Sequence, residues 1–317
     1  MRTQRRTNFV WGLVLLALAL AVVLHAVQII PDGIYDLIMR AWPALLVLVG
    51  LSIFLRSRVS FGAGIALILS LALVGVVIPL AFSTRAEQQR EDYRELLQQP
   101  IGPNVTLLRL RLTTLTTNLE LLPTLKTDRN VIGEFIGSTE SSIEASYTEE
   151  GTSAMLAVEE KQASQFPLLE NVGRGALRLE LPPDVALDVE LRGVNGTIRL
   201  NMSGLAVERL NLDLQQGDAI VTLPAYKPLG SPPGESLGTL AARNGDITLF
   251  IPPEVGARLE LNRGGSGIEP VYDANVYNYL VGDVLEARTI ATADIVVRYT
   301  VTVPRGRIRV EVPEPGG

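Results

Sequence analysis

The chain has 317 residues, with 28 Lys and Arg against 34 Asp and Glu, 47% apolar residues, one histidine and no cysteine. It therefore has no disulfide framework, thiolate nucleophile, Cys-ligated metal or iron–sulfur site, and one histidine excludes multi-histidine metal centres. The charge is divided unevenly: residues 1–82 hold six basic and two acidic residues, a net +4, while residues 83–317 hold 22 basic and 32 acidic, a net −10. A basic apolar head on an acidic polar body predicts a membrane anchor followed by a polar domain. The body has no basic tract, which argues against nucleic acid as a partner.

Three apolar runs fill residues 1–82. Trp11–Ile30 is 20 uncharged residues, about 30 Å as a helix and enough for one bilayer crossing. It is too long and too clean for a cleaved signal core. The second run extends over 37–55 if Arg40 snorkels to the headgroups, and Val59–Phe82 is 24 uncharged residues. Three transmembrane helices, 11–30, 37–55 and 59–82, are expected. Arg2, Arg5 and Arg6 precede the first and Arg56 and Arg58 link the second to the third, whereas the intervening loop carries Asp32 and Asp36. The positive-inside rule then places the N-terminus in the cytoplasm and the body outside the cell membrane. A re-entrant second run reverses that parity. His25 lies within the first run with no charged partner in any run, so a neutral, hydrogen-bonded histidine is a stronger reading than a proton relay.

Ser83–Gln99 is rich in helix formers, with Glu87/Glu91 and Arg90/Arg94 at i, i+4. It predicts a polar helical stalk over 83–103, ended by Pro100 and Pro103. Beyond it the apolar period becomes two, as in Leu108, Leu110 and Leu112, or Leu187, Val189 and Leu191, which marks half-buried strands. Residues 104–165 are expected to form a β-rich N-terminal cap, and 166–317 a β-repeat domain.

The repeat is a glycine, apolar residues at +2, +4 and +6, and proline at +7. It begins at Gly175, Gly217, Gly245 and Gly306, with a fifth copy at Gly196 that has Ser203 in the proline place. The glycines are 21, 21, 28 and 61 residues apart. Glycine supplies the turn into a strand, three alternate apolar side chains face a core, and proline ends the strand without leaving a ladder donor unmet. Short units near 21 residues that share one core predict a right-handed β-solenoid or rack, an antiparallel meander with the same turns being the alternative. After residue 100 there is no tryptophan and only three phenylalanines, unlike a sandwich built on a buried tryptophan.

Pro224–Ser236 and Arg263–Ala287 read as long loops. The second holds Tyr272, Tyr277 and Tyr279 beside Asp273, Asp283 and Glu286, which is either an exposed recognition surface or packing of the loop onto the rack.

Both halves resemble known families. Trp11-Gly12-Leu13, Ile29-Ile30-Pro31 and Trp42-Pro43-Ala44-Leu45-Leu46-Val47-Leu48-Val49-Gly50-Leu51 resemble the LiaI/LiaF-like transmembrane region of bacterial envelope-stress proteins. Asn244-Gly245-Asp246-Ile247-Thr248-Leu249 and Ile251-Pro252-Pro253-Glu254-Val255-Gly256 resemble the toastrack, or adhesin-like, β domain, and residues 104–161 resemble its N-terminal cap. The resemblance implies a non-enzymatic membrane protein of the envelope-stress or antibiotic response. Its implied partners are the lipid bilayer, a sensor histidine kinase or another membrane protein, and further copies of itself.

Three functions follow as expectations. The first is a regulator or sensor in which the head contacts a membrane partner, and the second a surface-exposed adhesin-like scaffold that assembles through its β domain. The third, an enzyme, is disfavoured, because Glu180, Asp188, Glu190 and Glu260 occupy outward strand positions where charges form a solvated face. No cofactor or metal is expected, since Asp218 and Asp246 belong to no clustered carboxylate pattern.

Overall fold

The structure is a computed structural model that describes residues 93–126, 129–137, 141–162, 174–230, 235–264 and 268–313. These fall in one compact unit, Gln89–Ala163 with Gly173–Gly317. The three expected crossings, His25 and the start of the stalk lie outside the described residues. Among the described residues every regular element is a strand, and no helix is long and apolar enough to cross a membrane.

In chain order the strands begin with β1 (Tyr93–Pro100), β2 (Leu107–Thr114), β3 (Thr117–Pro123), β4 (Asn130–Gly137), β5 (Ser141–Glu150) and β6 (Ser153–Gln162). Then come β7 (Gly175–Leu181), β8 (Ala186–Asn195), β9 (Ile198–Asn201), β10 (Ala206–Gln216), β11 (Ala219–Thr222), β12 (Thr239–Asn244) and β13 (Ile247–Phe250). The last are β14 (Val255–Asn262), β15 (Val271–Tyr272), β16 (Tyr277–Leu280), β17 (Val284–Ala287), β18 (Ile295–Thr302) and β19 (Ile308–Glu311). They make two sheets, ten strands in the order β16-β17-β14-β18-β12-β10-β8-β2-β6-β5 and nine in the order β1-β4-β7-β3-β9-β11-β13-β19-β15.

Each rung is a strand of the first sheet and a strand of the second, and stacked rungs pair in parallel. The parallel run is β6-β2-β8-β10-β12-β18-β14 in one sheet and β7-β3-β9-β11-β13-β19-β15 in the other. This pairing is that of a rack and excludes the antiparallel meander. The order of rungs, however, is not the order of the chain. The rung β2/β3 lies inside, flanked by β6/β7 and β8/β9, and β18/β19 is inserted between β12/β13 and β14/β15. Residues 107–123 are thus an inner rung rather than part of a cap. The 61-residue gap before Gly306 holds the strands β14 to β17, which lie beyond the rung that Gly306 opens.

Antiparallel strands close both ends: β1, β4 and β5 at one, β16 and β17 at the other. End units that differ from the inner repeats are what a stack of open rungs requires. Two further expectations are corrected here. Tyr93–Pro100, read as the second half of a helical stalk, is a strand paired with β4 along its whole length. Its Glu, Leu and Gln residues favour a helix, but long-range pairing overrides that local preference. Arg263–Ala287, read as a loop, contains β15, β16 and β17.

Strict register turns the alternation into ladders. Val158, Leu112, Leu191, Leu212, Leu240, Val301 and Leu261 stand side by side across the ten-stranded sheet. Leu179, Leu121, Leu200, Val221, Leu249 and Val310 do so across the other. All are buried in one core, and each such side chain contributes about 1.5–3 kcal/mol relative to exposure. Aliphatic ladders fill the core, so three aromatics, Phe135, Tyr277 and Tyr299, suffice among the buried residues.

Candidate functional site

The five motif glycines meet in a single column at the corner between the sheets. In register they run Gly175, then Thr117, Gly196, Gly217, Gly245 and Gly306. A Cβ on Gly217 would sit 2.0 Å from the Gly196 carbonyl oxygen, and one on Gly245 would sit 1.9 Å from that of Gly217. Backbone crowding, added to φ of 119° and 147° at these two positions, is what makes glycine necessary. The neighbouring column is polar. Asn118 Oδ1 accepts from the Thr197 N–H, Asp218 Oδ1 from the Asp246 N–H and Asp246 Oδ1 from the Arg307 N–H, each at 2.8 Å. Asp218 and Asp246 are therefore engaged in tying rung to rung.

Thr117 is the exception in the glycine column, and its turn is held by a residue that sequence reasoning missed. Glu160, 5% exposed, accepts from the N–H groups of Leu115 (2.6 Å) and Thr116 (3.1 Å) and from the Thr116 hydroxyl (3.2 Å). Arg129, also missed, donates to the carbonyls of Gly102, Pro103 and Val105 and pairs with Asp184 at 2.8 Å.

The tyrosine surface is only partly brought together. Tyr277 is 3% exposed, and burial pushes its hydroxyl up to about 12, so it belongs to the core and not to a recognition surface. Tyr272 and Tyr279 stack across the end of the rack, centroids 6.0 Å apart and planes at 24°. The Tyr279 hydroxyl donates to Asp283, Arg263 Nη2 lies 2.7 Å from the same carboxylate oxygen, and the guanidinium sits 6.0 Å from the Tyr279 ring. The hydrogen bond from Tyr279, then that from Arg263, hold the Asp283 carboxyl below its usual range. Asp283 has a left-handed φ of 59° in the hairpin turn that leaves Val281 fully exposed.

Two of the four outward carboxylates are paired with arginines. Glu190 meets Arg111 at 3.1 Å and Arg192 at 2.7 Å, and Glu180 meets Arg178 at 3.5 Å. Asp188 faces Arg109 and Arg209 in register, and Glu260 lies exposed on β14. Among the described residues no group of three or more His, Cys, Asp or Glu could hold a metal ion.

Glu208 clamps the loop after β11. It accepts from the Tyr226 hydroxyl at 2.7 Å and from the N–H groups of Leu229 and Gly230 at 3.0 and 2.8 Å. Partial burial pushes the carboxyl up, but these hydrogen bonds outweigh it and hold the group below the usual carboxylate range. Burial, then the carboxylate, push the Tyr226 hydroxyl up to about 12. A lowered acid contributes stability above its unfolded value and loses it as pH falls through the folded one. A raised phenol contributes below about pH 10 and loses it toward about pH 12. Amide hydrogen exchange at Leu229 and Gly230, corrected for intrinsic rates, is expected to show constant protection between these limits and loss beyond each. Glu208→Ala is expected to abolish that protection at all pH values, and unchanged protection would show that the clamp does not hold the loop.

Two solved structures share features with this chain. A candidate cell-adhesion protein from Clostridium sporogenes superposes with a TM-score of 0.57 at 14% identity, over 70% of this chain and 100% of its own. The likeness is one of fold. A candidate adhesin from Bacteroides fragilis matches 70% of this chain and 99% of its own at 9% identity, with a TM-score of 0.27. No family model and no curated protein matches the chain.

Proposed function

We propose that the chain is a non-enzymatic, membrane-anchored protein of the bacterial cell envelope that works by contact, as an adhesin-like interaction protein or scaffold. The apolar head holds it in the bilayer with the N-terminus in the cytoplasm, and the rack stands outside as a rigid platform. The observation that carries this reading is the parallel rack itself, with its likeness to a candidate cell-adhesion protein and with Glu180 and Glu190 engaged by arginines and Asp218 and Asp246 by backbone amides. Contact through large, preorganised polar faces needs neither a cofactor nor a displaced proton.

The LiaI/LiaF-like residues of the head, Trp11-Gly12-Leu13 and Trp42 to Leu51, favour a second reading. In it the same protein regulates a sensor histidine kinase during envelope stress, the head touching the kinase and the rack reporting on the envelope.

A single cysteine at the exposed position Ser203 tests the placement. The native chain has no competing thiol, so a membrane-impermeant thiol reagent is expected to label Ser203→Cys on intact cells. Protection on intact cells with labelling after lysis would put the rack in the cytoplasm and overturn the surface reading. Loss of an envelope-stress transcriptional response on deletion of the gene would select the regulator, and an unchanged response the scaffold.

A further inference from the structure

We propose that the outer face of the ten-stranded sheet holds a binding groove for a neutral, polyhydroxylated chain, an oligosaccharide strand laid along the rack axis. This rests on the contact reading above and names the ligand class.

The groove, about 430 Å³ in volume, crosses four strands. Arg192, Asp213, Ala241 and Thr302 form one outward row in strict register across β8, β10, β12 and β18. Three strand spacings make that row about 14 Å long. A second row beside it is Glu190, Asn211 and Thr239, with Asn211 Oδ1 accepting from the Thr239 N–H at 3.0 Å. The floor is low at Ala241, which stands in register between Asp213 on β10 and Thr302 on β18, while Arg243 rises from the same strand at one end. Its walls are ion pairs, Glu190 Oε1 to Arg192 at 2.7 Å and Asp213 Oδ2 to Arg243 at 3.2 Å, and Arg111, outside the lining, holds Glu190 Oε2 at 3.1 Å. The volume falls within the roughly 300–1,000 Å³ of small-ligand sites.

The chemistry selects the occupant. Carboxylates, guanidinium groups and threonine hydroxyls in fixed positions offer paired acceptors and donors of the kind a diol engages two at a time. Among the lining residues Glu190 and Asp213 balance Arg192 and Arg243, which favours an uncharged chain over a polyanion. A peptide is a poorer fit, because β12 is paired on both edges, with β10 and β18. No open edge is left there for strand addition. Both carboxylates are occupied by arginines, so the groove binds and does not hydrolyse.

Titration calorimetry of the full chain in detergent micelles with cellohexaose and chitohexaose tests the assignment. Saturable binding of at least one sugar is expected. Ala241→Trp, which fills the floor, is expected to weaken it at least tenfold, and Ala241→Ser to leave it unchanged. Asp213→Asn, which leaves the backbone untouched, is expected to weaken binding severalfold and keeps the test valid if the tryptophan variant misfolds. The proposal is overturned if neither sugar binds, if binding survives both Ala241→Trp and Asp213→Asn, or if an uncharged extended peptide displaces the sugar from the same residues. Failure here with Ser203→Cys still labelled on intact cells removes the groove and leaves the surface reading standing. Protection of Ser203→Cys removes the surface reading whatever the calorimetry returns.

Discussion

Gly245→Ala is expected to destabilise the rack by about 3 kcal/mol or more, whereas Gly204→Ala is expected to cost about 1 kcal/mol. Both glycines have positive φ, 75° at Gly204, near the left-handed region that other residues can enter, and 147° at Gly245, well outside it, so backbone preference already separates them. The surroundings widen the gap. A Cβ at Gly204 meets nothing within 4 Å, but at Gly245 it would lie 1.9 Å from the Gly217 carbonyl oxygen. Relief requires moving one rung away from the next, which lengthens the Asp246-to-Asp218 tie of 2.8 Å and the parallel pairing of β11 with β13. For a domain of this size 3 kcal/mol lowers the melting temperature by roughly 6–12 °C. Thermal melts of the detergent-solubilised chain, followed by β-sheet circular dichroism, check the difference. Equal losses at the two sites would show that close stacking of the rungs does not set the requirement for glycine.

That column was legible because its cause is local. Glycine, three alternate apolar positions and proline recur within eight residues, so the pattern survives in one dimension, and the copies do align in register in the folded chain. The order of stacking was not legible. Gly175 and Gly196 are 21 residues apart, like Gly196 and Gly217, yet only the second pair lies on adjacent rungs, since Thr117 stands between Gly175 and Gly196. Equal spacing in sequence cannot tell a direct neighbour from one with another rung slipped between. Tyr93–Pro100 failed for a related reason: Arg94, Glu95 and Gln98 carry local helix preference, and the partner that makes them a strand, β4, begins 30 residues beyond the end of β1. The tyrosine end was half legible. The aromatic run marked a special segment, but which ring faces the core depends on the antiparallel pairing of β16 with β17, which buries Tyr277 and leaves Tyr279 at the rim. The outer groove left no sequence signal, because it depends on Ala241 and Thr302, 61 residues apart, standing side by side.

Glu160→Ala is expected to cost about 2–4 kcal/mol, and Glu160→Gln less than half as much. The turn from β2 into β3 is the one place in the corner column between Gly175 and Gly306 that lacks a glycine. With Leu115-Thr116-Thr117 there, the turn leaves two backbone N–H groups pointing away from any ladder partner, and the Glu160 carboxylate on β6 accepts both through one oxygen. Alanine would leave those donors, and the Thr116 hydroxyl, without an acceptor at a site buried from water, where an unmet donor costs about 1–3 kcal/mol. Glutamine keeps one carbonyl oxygen for the two N–H groups, and its amide nitrogen donates to the Thr116 hydroxyl, so the network survives in altered polarity. The same contrast should appear locally as faster hydrogen exchange at Leu115 and Thr116 in the alanine variant alone. If alanine and glutamine prove equally costly, the negative charge and not the acceptor geometry holds the turn. If neither is costly, the β2/β3 rung is held by its aliphatic ladders, and Glu160 is incidental to the rung that comes first in the chain and lies inside the stack.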